Sequence, residues 1–301
     1  MSIRRTTLEE IVHRCDRLAQ QGQRLRPGQP PLAALDADGT LWGPDVADLL
    51  WQRLLTEKAL DRRAAPLIAR SLREAGVEPT RDAYQDFESL RRMREAGKVS
   101  AETMVRLMLR GLVGLREEAL EGHALRVVST APQLSTLSDG ESRGMIDKLR
   151  ALGFRVIVVS GSPRWVVEAA VAAFGIPTCD VLAGQVSVVE GVLTDGIIEP
   201  LPWGKGKVQA ILRRFGAVPR VSMGNGLGDL PMMEATSHLR VLVNPTDDLM
   251  VACEEIKGPT WSMDLLGLPA AKSGKKVPTQ VMGQAAGQAT PRRTRRPTAG
   301  S

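Results

Sequence analysis

The chain has 301 residues, 43% hydrophobic and 25% charged, with a net charge of +6; these proportions suit a globular protein with one large core, or one core and a smaller second domain. No apolar run is long enough to span a membrane, and Met1 to Gln20 is charged throughout, without the apolar centre of a secretory signal. The cysteines, Cys15, Cys179 and Cys253, are scattered and odd in number, which argues against a disulfide framework or a structural zinc site and places the protein in a reducing cytoplasm.

Along the chain, residues 6–22 predict an amphipathic helix, with Leu8, Ile11, Val12, Cys15 and Leu18 on one face. Leu32-Ala33-Ala34-Leu35 predicts a short buried strand ending at Asp36. From Val46 to about Gly122 the pattern is helical, through Leu49-Leu50-Trp51 and Leu54-Leu55, then Tyr84, Phe87, Leu90 and Met93, then Met104, Leu107, Met108 and Leu112. A helix over 139–152 ends at Gly153, and Phe154 to Val159 is nearly all apolar, as a parallel strand covered on both faces is. Further strands are predicted over 181–189, 192–198, 219–223 and 239–243, and helices over 164–174 and 205–215. Strands alternating with helices imply an α/β fold built on a doubly wound parallel sheet. The helical block inserted after the first strand is expected to be a separate cap. The domains are therefore an N-terminal helix and linker (1–30), a core (31–44 and 123–268), a helical cap (45–122) and a disordered tail (269–301).

The positive charge belongs to that tail. Lys272, Lys275, Lys276, Arg292, Arg293, Arg295 and Arg296 face no acid within 272–301, and removing these seven from +6 leaves −1 for the rest. The tail's Gly, Pro, Ala, Gln and Thr cannot build a core. It reads as a solubilising segment, or as a weak binder of phosphate backbones or anionic surfaces.

Four strand ends carry chemistry, and open α/β sheets bind ligands outside the carboxyl ends of their strands. The first is Asp36-Ala37-Asp38-Gly39-Thr40. Residues i and i+2 of a strand point to the same side, so both carboxylates reach one site, one as a nucleophile and the other to move a proton or help hold a metal. The second, Ser160-Gly161-Ser162-Pro163, offers a hydroxyl, a close backbone approach and helix-start amides for an anion; such turns also serve as plain helix caps. The third, Trp203-Gly204-Lys205-Gly206-Lys207-Val208, puts two lysines at a helix start, where the dipole disfavours them unless something anionic compensates. The fourth, Gly224-Asn225-Gly226-Leu227-Gly228-Asp229, is a tight turn able to present oxygen ligands to a hard cation. His13, His123 and His238 share no metal-ligand spacing.

These four motifs, in this order over most of residues 31–245, resemble those of the haloacid-dehalogenase superfamily. The closest resemblance is to its phosphoserine-phosphatase-like branch, which has a helical C1-type cap. Three features point to that branch: the insertion between the first two motifs, the segment Gly184 to Gly196, which resembles the hairpin before the lysine, and Asp45, nine residues after Asp36, where relatives keep an acid facing the cap.

The resemblance implies a Rossmann-like core and a Mg²⁺-dependent phosphatase acting on a small phosphorylated metabolite. Phosphoserine comes first, with phosphocholine-like and histidinol-phosphate-like esters still open. It implies Asp36 as nucleophile, Asp38 as acid and base, and Ser160 with Gly161 and Ser162 on the phosphoryl oxygens. A lysine neutralises charge; Lys207 is preferred because Val208, Ile211 and Leu212 pack behind it, and Lys205 is the alternative. Mg²⁺ is assigned to Asp36, the Asp38 carbonyl, Asn225 and Asp229. Asn225 departs from the family's usual Asp, so weaker metal binding is expected. Asp45 is a substrate contact or an N-cap. Trp42 and Trp51 line the pocket or belong to the core. The rival reading is a catalytically silent regulator that binds an anionic partner through the tail. Binding to nucleic acid is otherwise not expected, and the oligomeric state is open.

Overall fold

The computed structural model describes residues 2–25, 29–131, 134, 141–255 and 262–266. The basic tail expected over 269–301 lies outside them.

The strands are β1 (Ser2–Arg5), β2 (Leu32–Leu35), β3 (Arg155–Pro163), β4 (Val181–Gly184), β5 (Val186–Val189), β6 (Val192–Ile197), β7 (Val221–Gly224), β8 (Leu239–Val243) and β9 (Ser262–Leu266). Seven of them form one sheet in the order β1-β9-β8-β7-β2-β3-β4, and every pairing in it is parallel. The chain runs outward from β2 through β3 to β4, then returns to lay β7 against the other side of β2. The carboxyl ends of β2, β3 and β7 therefore flank the switch point where such sheets bind ligands.

Helix α1 (Leu8–Leu25) follows β1, and α2 (Val46–Thr56), α3 (Ala64–Glu74), α4 (Ala83–Glu95), α5 (Ala101–Arg110) and α6 (Glu117–Thr130) lie between β2 and β3. Then come α7 (Glu141–Ala151), α8 (Arg164–Val171), α9 (Lys205–Phe215), α10 (Leu230–Ala235) and α11 (Asp247–Glu255). The period of two along the central strands sorts their side chains onto two covered faces. Ala33, Leu35, Val156 and Val158 join a core with Ile11 and Cys15 of α1, Met145 and Ile146 of α7, and Trp165 and Val166 of α8. Leu32, Ala34, Ile157 and Val159 pack on the other face with Ile211 of α9 and Met232 of α10. A sheet covered on both faces explains why its central strands read as continuous apolar runs.

The stretch 181–189, expected as one strand, is two. Val181–Gly184 joins the main sheet, whereas Val186–Val189 pairs antiparallel with β6 in a separate hairpin. The break at Gln185 lets the chain leave the sheet plane. The hairpin also holds the junction of α5 and α6: the Leu193 carbonyl accepts from the Gly114 N–H (2.8 Å), and the Leu193 N–H donates to the Leu115 carbonyl (2.9 Å). Helix α5 packs on β6 and β3, which sets its Val105 and Met108 over the carboxyl end of β3. Within the insertion, Trp51 stacks on Phe87 at 4.1 Å between ring centroids and donates from Nε1 to the Met108 carbonyl at 3.2 Å. No helix among the described residues is long and apolar enough to cross a membrane.

Candidate active site

At the switch point the strand ends enclose a cavity of about 210 Å³, whose polar lining includes Asp36, Asp38, Ser160, Lys207, Asn225 and Asp229. That is smaller than the roughly 300–1,000 Å³ typical of pockets for drug-sized ligands.

Asp36 leaves β2 with its N–H still bonded to the Met223 carbonyl of β7 at 2.9 Å, so the sheet itself fixes its backbone. Its carboxylate is buried. Oδ1 accepts from Lys207 Nζ at 2.6 Å and Oδ2 from the Thr40 hydroxyl at 3.2 Å. Burial and the Asp229 charge push its pKa up to about 7, against the opposing pull of Lys207.

Asp38, two residues on, receives three donors. Oδ1 accepts from Trp42 Nε1 at 2.7 Å and from the Val46 N–H at 3.0 Å, and Oδ2 from the Ser162 hydroxyl at 2.6 Å. Burial raises its pKa, while those three hydrogen bonds favour the charged form. Gly39 completes the turn at φ +77°; a Cβ there would lie 1.9 Å from Asn225 Nδ2. A side chain at this position would thus be strained in backbone and would collide with the fourth motif.

Lys207 is 2% exposed, and its ammonium donates to Asp36 Oδ1 (2.6 Å), Asp229 Oδ1 (2.5 Å) and the Val159 carbonyl (2.7 Å). Burial opposes its charge, but Asp229 and Asp36 outweigh it and hold the lysine protonated. Lys205, one helical half-turn away, is exposed and lies outside the cavity lining. Asp229 turns its second oxygen to the N–H groups of Asn225 (3.0 Å) and Gly226 (2.9 Å), which closes the fourth motif on itself.

Ser160 is buried, and its Oγ accepts from the Ser162 N–H at 3.1 Å. Gly161 and Ser162 line the cavity beside it. Asp45 stands at the rim, solvent-exposed. It caps α2 by accepting from the N–H groups of Ala47 (2.8 Å) and Asp48 (3.1 Å), and it also lines the cavity. Desolvation, and then the charges of Asp38 and Asp48, raise its pKa, a shift that its exposure to solvent moderates.

Several participants act through contacts that the motifs do not announce. Trp42 belongs to the core, stacked 6.3 Å from Phe174, yet its indole N–H holds Asp38; its place six residues after Asp36 was the only available signal. Thr246 donates from its N–H (2.8 Å) and hydroxyl (3.2 Å) to the Asn225 carbonyl. Trp203, Val105 and Met108 add apolar surface to the cavity lining.

Among the described residues, no three His, Cys, Asp or Glu side chains stand together as a metal cluster. Metal binding here therefore has to draw on main-chain and amide oxygens as well. The chemistry of the donors suits a hard cation: oxygen-bearing Asp36, Asp38, Asn225 and Asp229 line one cavity, and among the described residues its lining has four carboxylates and one lysine.

The family model for haloacid dehalogenase-like hydrolases matches residues 33–234. A phosphoserine phosphatase of Halobacterium salinarum is 30% identical over 135 residues, which are 44% of this chain and 62% of that protein. A phosphoserine phosphatase of Mycobacterium tuberculosis is 32% identical over 126 residues, 40% of this chain and 30% of that protein. The chain thus spans less than two thirds of either relative. A protein of unknown function from Bordetella pertussis Tohama I shares the fold at a TM-score of 0.57 and 19% identity, over 78% of this chain and 98% of that one. With its four strand-end motifs gathered at one switch point and most of its length matched, the chain belongs to the haloacid dehalogenase-like hydrolase family.

Proposed function

We propose that this chain hydrolyses the phosphate monoester of a small alcohol through a phosphorylated Asp36. One observation carries the reading: the Lys207 ammonium lies within hydrogen-bond distance of both Asp36 and Asp229, beside a second aspartate oriented by three donors. An Asp36 oxygen attacks phosphorus, the ester P–O bond breaks, and protonated Asp38 gives its proton to the departing alkoxide. Asp38 then takes a proton from water as the water oxygen attacks phosphorus, which frees phosphate and restores both side chains. Oδ1 of Asp38 is occupied by two N–H donors, so the mobile proton belongs on Oδ2, where the Ser162 hydroxyl can turn from donor to acceptor. Lys207 and Ser160 balance and position the phosphoryl oxygens, which is most of what phosphoryl transfer asks of a protein.

Mg²⁺, held by the Asp36 carboxylate, the Asp38 main-chain carbonyl, Asn225 and Asp229, would neutralise charge on the phosphoryl group. Phosphoserine is the first ester to test, because the curated relatives carry that name. A cytoplasmic setting agrees with three cysteines that form no disulfide. Phosphate release from p-nitrophenyl phosphate and a panel of metabolite phosphates tests the proposal. Turnover that EDTA abolishes and Mg²⁺ restores is expected; silence toward every ester would end the reading.

Two smaller effects follow. Asn225 offers an amide oxygen where a carboxylate would add a charge. Asn225→Asp should lower the Mg²⁺ concentration for half-maximal rate roughly tenfold, an effect of about 1.4 kcal/mol; an unchanged Mg²⁺ titration would contradict this role. Trp42→Phe keeps a ring in the core but deletes the hydrogen bond to Asp38. A bond to a charged group contributes about 1.5–3 kcal/mol of stability, so the melting temperature should fall by several degrees, and kcat should fall roughly tenfold as Asp38 loses a donor that orients it, as read by calorimetry and steady-state kinetics.

A further inference from the structure

The residues around the phosphoryl group are accounted for above; the rest of the cavity lining bears on the alcohol. It includes Asp45, Ala47, Val105, Met108 and Trp203. The charged side chain there is a carboxylate. Among the described residues, Lys207 is the one cation in the lining, and its ammonium is already committed to Asp36, Asp229 and the Val159 carbonyl.

The nearest guanidinium groups in sequence are turned elsewhere. Arg106 lies between Val105 and Met108 on α5 but is paired with Glu102 (3.0 Å) and Glu199 (2.7 Å). Arg164 follows Pro163 of the lining but is paired with Glu117 at 2.7 Å and lies over the Trp165 ring. A substrate carboxylate entering here would lose water, gain no uncommitted cation from the described lining residues and meet Asp45, an arrangement that disfavours the charged form.

The same lining, with Asp45 and Trp203, suits a cation. Trp203 is fixed by its neighbours: a Cβ on Gly161 would come within 3.1 Å of its Cε3, and a Cβ on Gly228 within 3.1 Å of its Cζ2 and Cη2. The indole is thus seated against the backbones of both the second and fourth motifs, already in place when substrate arrives. An ammonium within about 6 Å of such a ring is attracted by its π face, most strongly for tryptophan. A cation beside Asp45 also favours that residue's ionised form.

We propose that the alcohol released here bears an ammonium group and no carboxylate, a phosphorylated amino alcohol, and that Trp203 is the residue that selects it together with Asp45. This rests on the phosphomonoesterase reading. The experiment compares kcat/KM of the full-length protein with Mg²⁺ on phosphoethanolamine, phosphocholine, phosphoserine and p-nitrophenyl phosphate, for wild type, Trp203→Leu and Trp203→Phe. Wild type is expected to favour the better amino-alcohol ester over phosphoserine by roughly tenfold or more. Trp203→Leu should lose most of that ratio through KM, and Trp203→Phe should retain part of it. Hydrolysis of the aryl ester with phosphoserine equal to or better than both amino-alcohol esters overturns this proposal and leaves the phosphomonoesterase reading standing. A ratio unchanged in Trp203→Leu overturns the role of Trp203. No hydrolysis of any ester removes both. The wild-type comparison decides the substrate class even where a variant fails to fold.

Discussion

Replacing Lys207 with methionine is expected to abolish turnover and to destabilise the fold together. Methionine fills much of the same volume and removes the charge. Asp36 and Asp229 then remain buried without their shared counter-ion, and breaking a buried pair in this way costs about 3–5 kcal/mol. The Val159 carbonyl also loses its donor. Relief by protonation would neutralise the nucleophile, so kcat should fall by a factor of about a thousand, comparable to loss of a strong electrostatic stabiliser. Urea denaturation and steady-state kinetics read the two effects. Lys205→Ala is the contrast: the side chain is exposed, and its removal should change stability by no more than about 0.5 kcal/mol. Equal effects of the two substitutions would contradict the assignment of Lys207.

Asp36→Asn should separate the two effects. The amide keeps the shape and still accepts a hydrogen bond, but it cannot attack phosphorus, so turnover should drop by about ten-thousandfold or more. Stability should hold or rise. Burial and Asp229 lift the Asp36 pKa to about 7, so the fold disfavours this carboxylate near neutral pH relative to the unfolded chain. A raised carboxyl pKa means that the cost grows as pH rises above the ordinary value near 4 and levels off above the folded value. A neutral amide removes that cost. An inactive and strongly destabilised Asp36→Asn would instead mean that the carboxylate is structural.

Much of this was legible in local pattern. The run Phe154 to Val159 reads as a central strand because both faces of β3 are covered. The two-residue repeat of a strand suggests that Asp36 and Asp38 share one site; β2 itself ends at Leu35, and Asp38 is oriented by Trp42, Val46 and the distant Ser162. The two lysines could not be separated as surely: both sit in the first turn of α9, and which one points inward depends on how that helix docks against β2 and β3. Asp45 was open between cap and cavity, and the geometry gives it both places.

What stayed hidden depends on residues far apart in sequence. Trp203 acquires its position from Gly161 and Gly228, in two other motifs, and nothing beside it in the chain signals that. Strand β1 is four residues long, mostly polar, and its partner β9 comes from the other end of the chain, so no alternation announced it. The division of 181–189 between sheet and hairpin turns on a partner choice, β3 for Val181 and β6 for Val188, that a continuous apolar pattern cannot express.

The central claim is that phosphate passes through Asp36. The direct measurement is acid quenching during steady turnover, borohydride reduction, and mass mapping of the peptide that contains residue 36. Wild type is predicted to yield homoserine at position 36, the reduction product of an aspartyl phosphate, and Asp36→Asn to yield none. Turnover without any modification at Asp36, or modification at another carboxylate, would contradict the account.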